Sequence, residues 1–154
     1  MSNAIGSFPP PPAGVRMAAG VMQVIGGDCA ARYPEEACGI LIGRADGNEL
    51  CITEARPAAN VWDEDDEKKR RYLIDPHAQL AAERDAAAAG LAVIGFYHSH
   101  PDAAPVPSER DRAAAWPVYV YLIVNVTTGE VGDAQLWALE PAGEAFVPVP
   151  LRIV

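Results

Sequence analysis

The chain has 154 residues, with 12 Lys and Arg against 21 Asp and Glu, a formal charge of −9, and 50% hydrophobic residues. That length suits one domain with a core of its own, and the apolar content excludes wholesale disorder. The negative charge disfavours a nucleic-acid backbone or an anionic membrane as partner, since both attract cations.

Residues 1–14 carry Phe8-Pro9-Pro10-Pro11-Pro12 and read as a flexible proline-rich tail ahead of a domain over 15–154. Apolar positions at Met17, Val21, Val24, Ile25 and Cys29 predict an amphipathic helix over Val15–Tyr33, weakened by Gly26-Gly27 and ended by Pro34. Ala37–Ile42 is a short apolar run, and Asn48–Glu54 alternates after Asp46-Gly47, so the two predict a hairpin. The charge block Asp63–Arg71 reverses sign halfway and reads as a solvated loop, its acidic half open to a basic partner. Tyr72-Leu73-Ile74 predicts a short strand. Asp75-Pro76 then announces a helix, because Asp caps free N–H groups and Pro suits the first position; Gly90 ends it.

Leu91–Tyr97 and Val118–Val126 are continuous apolar runs typical of strands buried on both faces. Val131–Leu139 alternates, and Phe146–Val154 predicts an edge strand, because Pro148 and Pro150 cannot serve a central ladder. The expected fold class is therefore α/β, with helices interspersed around one sheet of mixed strand direction. No apolar stretch approaches the roughly 18 residues of a membrane span, and no charged-then-apolar leader opens the chain. Cys29, Cys38 and Cys51 lack CxxC spacing and read as reduced thiols of a cytoplasmic protein.

The chemistry is concentrated in His98-Ser99-His100-Pro101 and Ser108-Glu109-Arg110-Asp111. On a strand, residues i and i+2 share a face, so His98 and His100 can converge on one metal ion. Ser108 can cap the helix that follows, which puts Asp111 in its first turn as a third ligand. Two imidazoles and a carboxylate suit zinc and leave a fourth position for water, the mark of a catalytic site. His77 reads as an ordinary surface residue. A zinc-activated water needs a carboxylate to take its proton and hand it to a leaving amine. Glu35 and Glu36 are the candidates, and Glu36 is the stronger, one step from the apolar run.

Glu36-Ala37-Cys38-Gly39-Ile40-Leu41-Ile42-Gly43, His98-Ser99-His100-Pro101 and, after the seven residues from Pro101 to Pro107, Ser108-x-x-Asp111 together resemble the JAMM (MPN+) metalloprotease family. The resemblance covers roughly Val15 to Leu139. It implies a single-domain α-β-α sandwich with a curved mixed β-sheet, similar to that of cytidine deaminases. It also implies His98, His100 and Asp111 as zinc ligands, Glu36 as general acid/base, and Ser108 as hydrogen-bond donor to the tetrahedral oxyanion. Asp111 to Pro117 runs straight into the Val118 strand, without the long insertion of deubiquitinating members. This and Arg71-Tyr72-Leu73-Ile74-Asp75-Pro76 resemble the compact bacterial branch that acts with ubiquitin-like sulfur carrier proteins. Such members hydrolyse the amide or isopeptide bond after a C-terminal Gly-Gly, releasing an amino acid such as cysteine or a short peptide. The alternative is a non-catalytic scaffold of the same fold, but inert members lose zinc ligands and this chain keeps them. A zinc deaminase would need His-x-Glu and Pro-Cys-x-x-Cys, which are absent. A flexible Gly-Gly tail is expected to pair its main chain with a strand edge near the zinc.

Overall fold

The structure is a computed structural model that describes residues 8–154. Its strands are β1 (Gly14–Met17), β2 (Cys38–Asp46), β3 (Glu49–Ala58), β4 (Ala92–Pro101), β5 (Val120–Thr127), β6 (Glu130–Leu139), β7 (Phe146–Val149) and β8 (Leu151–Ile153). The helices are α1 (Ala19–Arg32), α2 (Pro76–Ala88) and α3 (Glu109–Ala114). Among the described residues the strands form one sheet in the order β7-β6-β5-β4-β2-β3-β1-β8. The β4–β5 pair is parallel, as are both pairings of β1; the others are antiparallel. No described helix is long and apolar enough to cross a membrane.

The apolar run that ends in the two histidines lies at the centre of this sheet, flanked by β2 and β5. Its period-two alternation feeds both layers. Tyr97 joins Leu41, Leu122 and Leu136 in the core under Ile25 and Cys29 of α1. Phe96 faces the other way, with Ile40, Ile42 and Tyr121 against Ala82 and Ala86 of α2. Helices therefore cover both faces, and the α-β-α sandwich stands.

Several local expectations hold. The β2–β3 hairpin pairs Asp46 with Glu49 across a tight turn in which Gly47 has φ +63°, a left-handed conformation that glycine adopts freely. Asp75 caps α2 by accepting the His77 N–H at 2.8 Å, with Pro76 in the first turn.

Three expectations are corrected. The helix predicted from Val15 starts only at Ala19, and Val15 and Met17 are instead buried positions of β1. Met17 stands four residues before Val21 and so fits a helical stripe, but Val15 and Met17 at i and i+2 also share one face of a strand, and a parallel slot between β3 and β8 decides for the strand. Tyr72–Ile74 makes a single bridge, Ile74 with Asn60, instead of a strand. The predicted edge strand over Phe146–Val154 is two strands on opposite edges, β7 on β6 and β8 on β1. Only Pro150 separates them, so the sheet must curl until its two edges nearly meet; the Pro150 carbonyl accepts the Val15 N–H at 2.9 Å. The proline-rich tail lies partly at residues 1–7, outside the described residues.

Gly39 of β2 has no room for a side chain, because a Cβ there would run into the Tyr97 ring. That ring is fully buried and its hydroxyl donates to Asp28 Oδ2 at 2.7 Å, so it cannot retreat freely. Gly39→Ala is expected to cost about 1–3 kcal/mol, seen as a melting temperature lower by several degrees in calorimetry.

Candidate active site

Four segments meet at the C-terminal end of β4. His98 and His100 project from one face of that strand, 1% and 8% exposed. Beyond the start of β2, the Ala37 N–H donates to Ser99 Oγ at 2.8 Å and the Ser99 N–H donates to the Ala37 carbonyl at 3.0 Å. These bonds extend the pairing beyond Cys38 and hold Glu36, 5% exposed, beside the strand end. Glu35 remains outside this buried set. After the loop 102–107, Ser108 opens α3 with a reciprocal cap: its Oγ accepts the Asp111 N–H at 3.1 Å, and Asp111 Oδ2 accepts the Ser108 N–H at 2.8 Å. The cap fixes the Asp111 side chain and points its carboxylate at the histidines.

The resulting distances are short. Asp111 Oδ2 lies 3.1 Å from His100 Nε2, Asp111 Oδ1 lies 3.3 Å from His98 Nε2, and the two Nε2 atoms are 3.1 Å apart. His100 Nδ1 stands 2.9 Å from the Ala104 carbonyl. A carbonyl only accepts, so this nitrogen carries the hydrogen and Nε2 turns its lone pair inward. Lone pairs of two imidazoles and a carboxylate facing one another repel unless a cation lies among them. The donor set therefore fits a metal ion, and His98, His100 and Asp111 form a group that could hold one.

The titration shifts have the same origin. Burial alone would raise the Asp111 carboxyl, but with no cation among the three groups the imidazoles bond to it when protonated, which outweighs burial and holds the group well below the ordinary range. Burial lowers His100, yet the Asp111 bond and the Ala104 carbonyl overcome this and raise it. His98 is lowered by burial, which exceeds the raising effect of Asp111. Its Nδ1 has no partner among the described residues, and Tyr72 stacks on its ring at 4.6 Å, 24° from parallel. Burial pushes the Glu36 carboxyl up to about 8; His100 and Arg110 pull it down and Asp111 pushes it up, each by less.

Sequence reasoning missed Asn60. Its Nδ2 donates to the carbonyls of Glu36 (3.3 Å) and Arg71 (2.9 Å), and its Oδ1 accepts the N–H groups of Trp62 (3.1 Å) and Leu73 (3.2 Å). One amide thus ties the Glu36 backbone to both neighbours of Tyr72. The only signal was an Asn opening an irregular segment, where such side chains often take backbone partners. Beside Glu36 and Asp111 opens a groove of about 770 Å³ with Tyr72, Leu73, Trp116 and Val118 in its walls.

The chain matches the family described as prokaryotic homologs of the JAB domain over residues 18–140. It belongs to that family, the JAMM group whose spacing of Glu, His-x-His-Pro and Ser-x-x-Asp it carries. Among its relatives, a desampylase of Haloferax volcanii is 39% identical over 114 residues, 73% of this chain and 74% of that protein. A desampylase of Pyrococcus furiosus is 33% identical over 106 residues, covering 68% and 66%. A probable TtuB-protein conjugate cleaving protease of Thermus thermophilus is 34% identical over 86 residues, covering 55% and 53%. A solved Salinibacter ruber protein superposes with a TM-score of 0.70 at 31% identity, covering 90% of this chain and 91% of that one. A Desulfitobacterium hafniense protein shares the fold, with a TM-score of 0.76 at 24% identity, covering 91% and 92%.

The buried Glu36 carries a stability cost in metal-free protein. With its folded value raised above the ordinary one, the folded state keeps the proton to higher pH than the unfolded state. Stability therefore falls as pH rises from about 4.5 towards about 8. Glu36→Gln removes that penalty. Chelator-treated Glu36→Gln is expected to melt above chelator-treated wild type at pH near 8, by a few kcal/mol at most, on about 1.4 kcal/mol per pKa unit. The advantage should shrink towards pH 5 in parallel thermal melts.

Proposed function

We propose that this protein is a zinc-dependent JAMM peptidase that cleaves conjugates of a ubiquitin-like or sulfur carrier protein. The bond cut is the amide or isopeptide after the carrier's C-terminal Gly-Gly, with a protein, a short peptide or an amino acid such as cysteine as leaving group. The observation that carries this reading is the convergence of His98, His100 and Asp111 beside a buried carboxylate, Glu36. The relatives named as desampylases and as a conjugate-cleaving protease support the substrate class. Three free cysteines fit a reducing cytoplasm.

In this reading His98, His100 and Asp111 hold the zinc, with Ala104 orienting His100 and Tyr72 bracing His98. Zinc, when bound, supplies Lewis acidity that makes water acidic near neutral pH and polarises a carbonyl. Glu36 takes the proton of the attacking water and delivers it to the leaving nitrogen, which exits as an amine. Its burial suits both halves of that task, because it raises the carboxylate's affinity for a proton. Ser108 Oγ spends a lone pair on the Asp111 N–H, and its own hydrogen is free to donate to the oxyanion.

Four substitutions separate the roles. His98→Ala or His100→Ala should lower zinc content and activity together while the circular dichroism spectrum persists, since a core of this size needs no metal staple. Full zinc by elemental analysis in the double variant would exclude these ligands. Glu36→Gln should keep stoichiometric zinc yet lose turnover at or beyond the top of the 10²–10⁴-fold range of general-base catalysis. Activity near wild type would move the base to Glu35 or another carboxylate. Ser108→Ala should cost about 10²–10³-fold in rate and about 1 kcal/mol of stability through the lost cap. The reading itself is tested by intact-mass analysis of a carrier conjugate incubated with the zinc-loaded protein. A mass gain of one water, split between carrier and leaving group, is expected.

A further inference from the structure

The groove beside the site has an electrostatic character that the rest of the chain does not share. The protein has a formal charge of −9, yet Arg70, Arg71 and Arg110 line this groove, and Glu36 and Asp111 at its inner end are its only carboxylates among the described residues. Arg71 is engaged: its guanidinium lies 4.9 Å over the Trp62 ring and 3.7 Å from Glu67. Arg70 and Arg110 make no ion pair among the described residues. Elsewhere most arginines are paired, with Arg16, Arg32, Arg44, Arg56, Arg112 and Arg152 each beside a carboxylate, and Arg84 on α2, away from the groove, as the exception among the described residues. Between the two unpaired arginines the walls are apolar, with Trp116 64%, Val118 53% and Leu73 45% exposed. An occupant that complements this groove is extended, presents apolar side chains, and carries negative charge.

A second cavity of about 530 Å³ also reaches Glu36, from the other side of the segment 59–72. Its lining sets Arg32, Lys68 and Lys69 against Glu35, Glu36 and Asp65, so it has no net sign to read. A carrier tail has one fixed sequence in every conjugate, whereas the leaving group varies. The larger groove, whose only charges outside the inner end with Glu36 and Asp111 are arginines and whose walls are apolar, is the one built to read a fixed sequence.

We propose that the Arg70–Arg110 groove binds the carrier tail upstream of Gly-Gly, selecting a tail with acidic side chains there and rejecting one with Arg or Lys. This rests on the reading of the site as a conjugate-cleaving centre. The guanidinium fork matches a carboxylate in two parallel hydrogen bonds, and two unpaired cations oppose a basic tail by like-charge repulsion, so selectivity comes from both terms. Because both arginines are exposed, added salt weakens the preference.

The test uses the full-length, zinc-loaded chain and synthetic tails ending in Gly-Gly that differ only in Glu, Gln or Arg at the preceding positions. Binding is followed by tryptophan fluorescence, with Trp116 in the groove wall as reporter. Cleavage is followed on the same tails joined to a fluorogenic amine. The Glu tail should bind about ten-fold more tightly than the Arg tail, as two exposed charge contacts plus like-charge rejection would give. The ratio should fall as salt rises and collapse towards one in Arg70→Gln/Arg110→Gln, whose melting temperature checks that it is folded. Equal binding of all three tails, or a preference that survives in the double variant, overturns the selectivity. A binding preference without any cleavage keeps the groove and removes the peptidase reading. Cleavage without preference does the reverse.

Discussion

The site depends on one carboxylate with two duties. Asp111 accepts the Ser108 N–H as half of a helix cap, and the same group faces both imidazoles at 3.1 and 3.3 Å. The cap is a local, sequence-adjacent device that needs only three residues of spacing. The histidine pair is equally local, since the two-residue period of a strand puts both rings on one face. What is not local is bringing the two devices together, and the parallel β4–β5 crossover does that by returning the chain through α3 above the end of β4. The loop between them is pinned from below: Asn125 Nδ2 donates to the Ala103 carbonyl at 2.7 Å and Trp137 Nε1 to the Pro105 carbonyl at 2.9 Å. Asp111 is thus held from its own helix, from the strand and, through the loop, from the sheet.

Glu36 follows a different logic, because nothing in its local sequence forces a carboxylate to be buried. It is carried in by the extension of β2 along β4 and by Asn60, whose amide gathers the Glu36, Arg71 and Leu73 backbones. The cost is an acid kept from water, which the fold tolerates because the rest of the core is apolar and continuous on both faces. In the proposed function, a base whose affinity for protons is raised is the chemical return on that burial. Tyr72 belongs to the same device. Metal-binding histidines commonly donate their outer nitrogen to a carbonyl or carboxylate; His98 Nδ1 has no such partner among the described residues, and the stacked Tyr72 ring is what fixes its plane.

Features encoded within a few residues were legible in the sequence, and features made by long-range closure were not. The hairpin turn, the Asp75 cap, the Ser108–Asp111 cap and the histidine pair each lie within a short window. The misread elements depend on partners far along the chain. Val15 and Met17 become a strand only because β3 and β8 flank them, and the Phe146–Val154 run divides because β6 and β1 offer edges on either side of Pro150. Asn60 was illegible for the same reason. Its hydrogen bonds reach back 24 residues to Glu36 and forward 11 and 13 residues to Arg71 and Leu73. The JAMM resemblance supplied the quartet around the candidate metal site because that quartet is a matter of spacing. The charge of the groove, assembled from Arg70 on one loop and Arg110 on α3, has no spacing to read.

The closed sheet also decides how a tail can be recognised. A strand edge near the site was the simple expectation, but β4 is paired on both sides almost to its end, with β5 through Pro101 and with β2 and Ala37 through Ser99. The sheet's outer edges, β7 and β8, sit at the ends of the strand order, where Pro148 and Pro150 lack the N–H groups that an added strand would use. The β4 edge beside the histidines therefore has few main-chain groups left for an added strand. In the proposed function, a Gly-Gly tail draws its contacts from the irregular segment around Tyr72 and from the groove walls. Glycines offer nothing to a wall, so discrimination shifts to the residues before them, where Trp116, Val118 and the two unpaired arginines stand. A sheet that spends its edges on closing itself leaves side-chain chemistry to choose the partner.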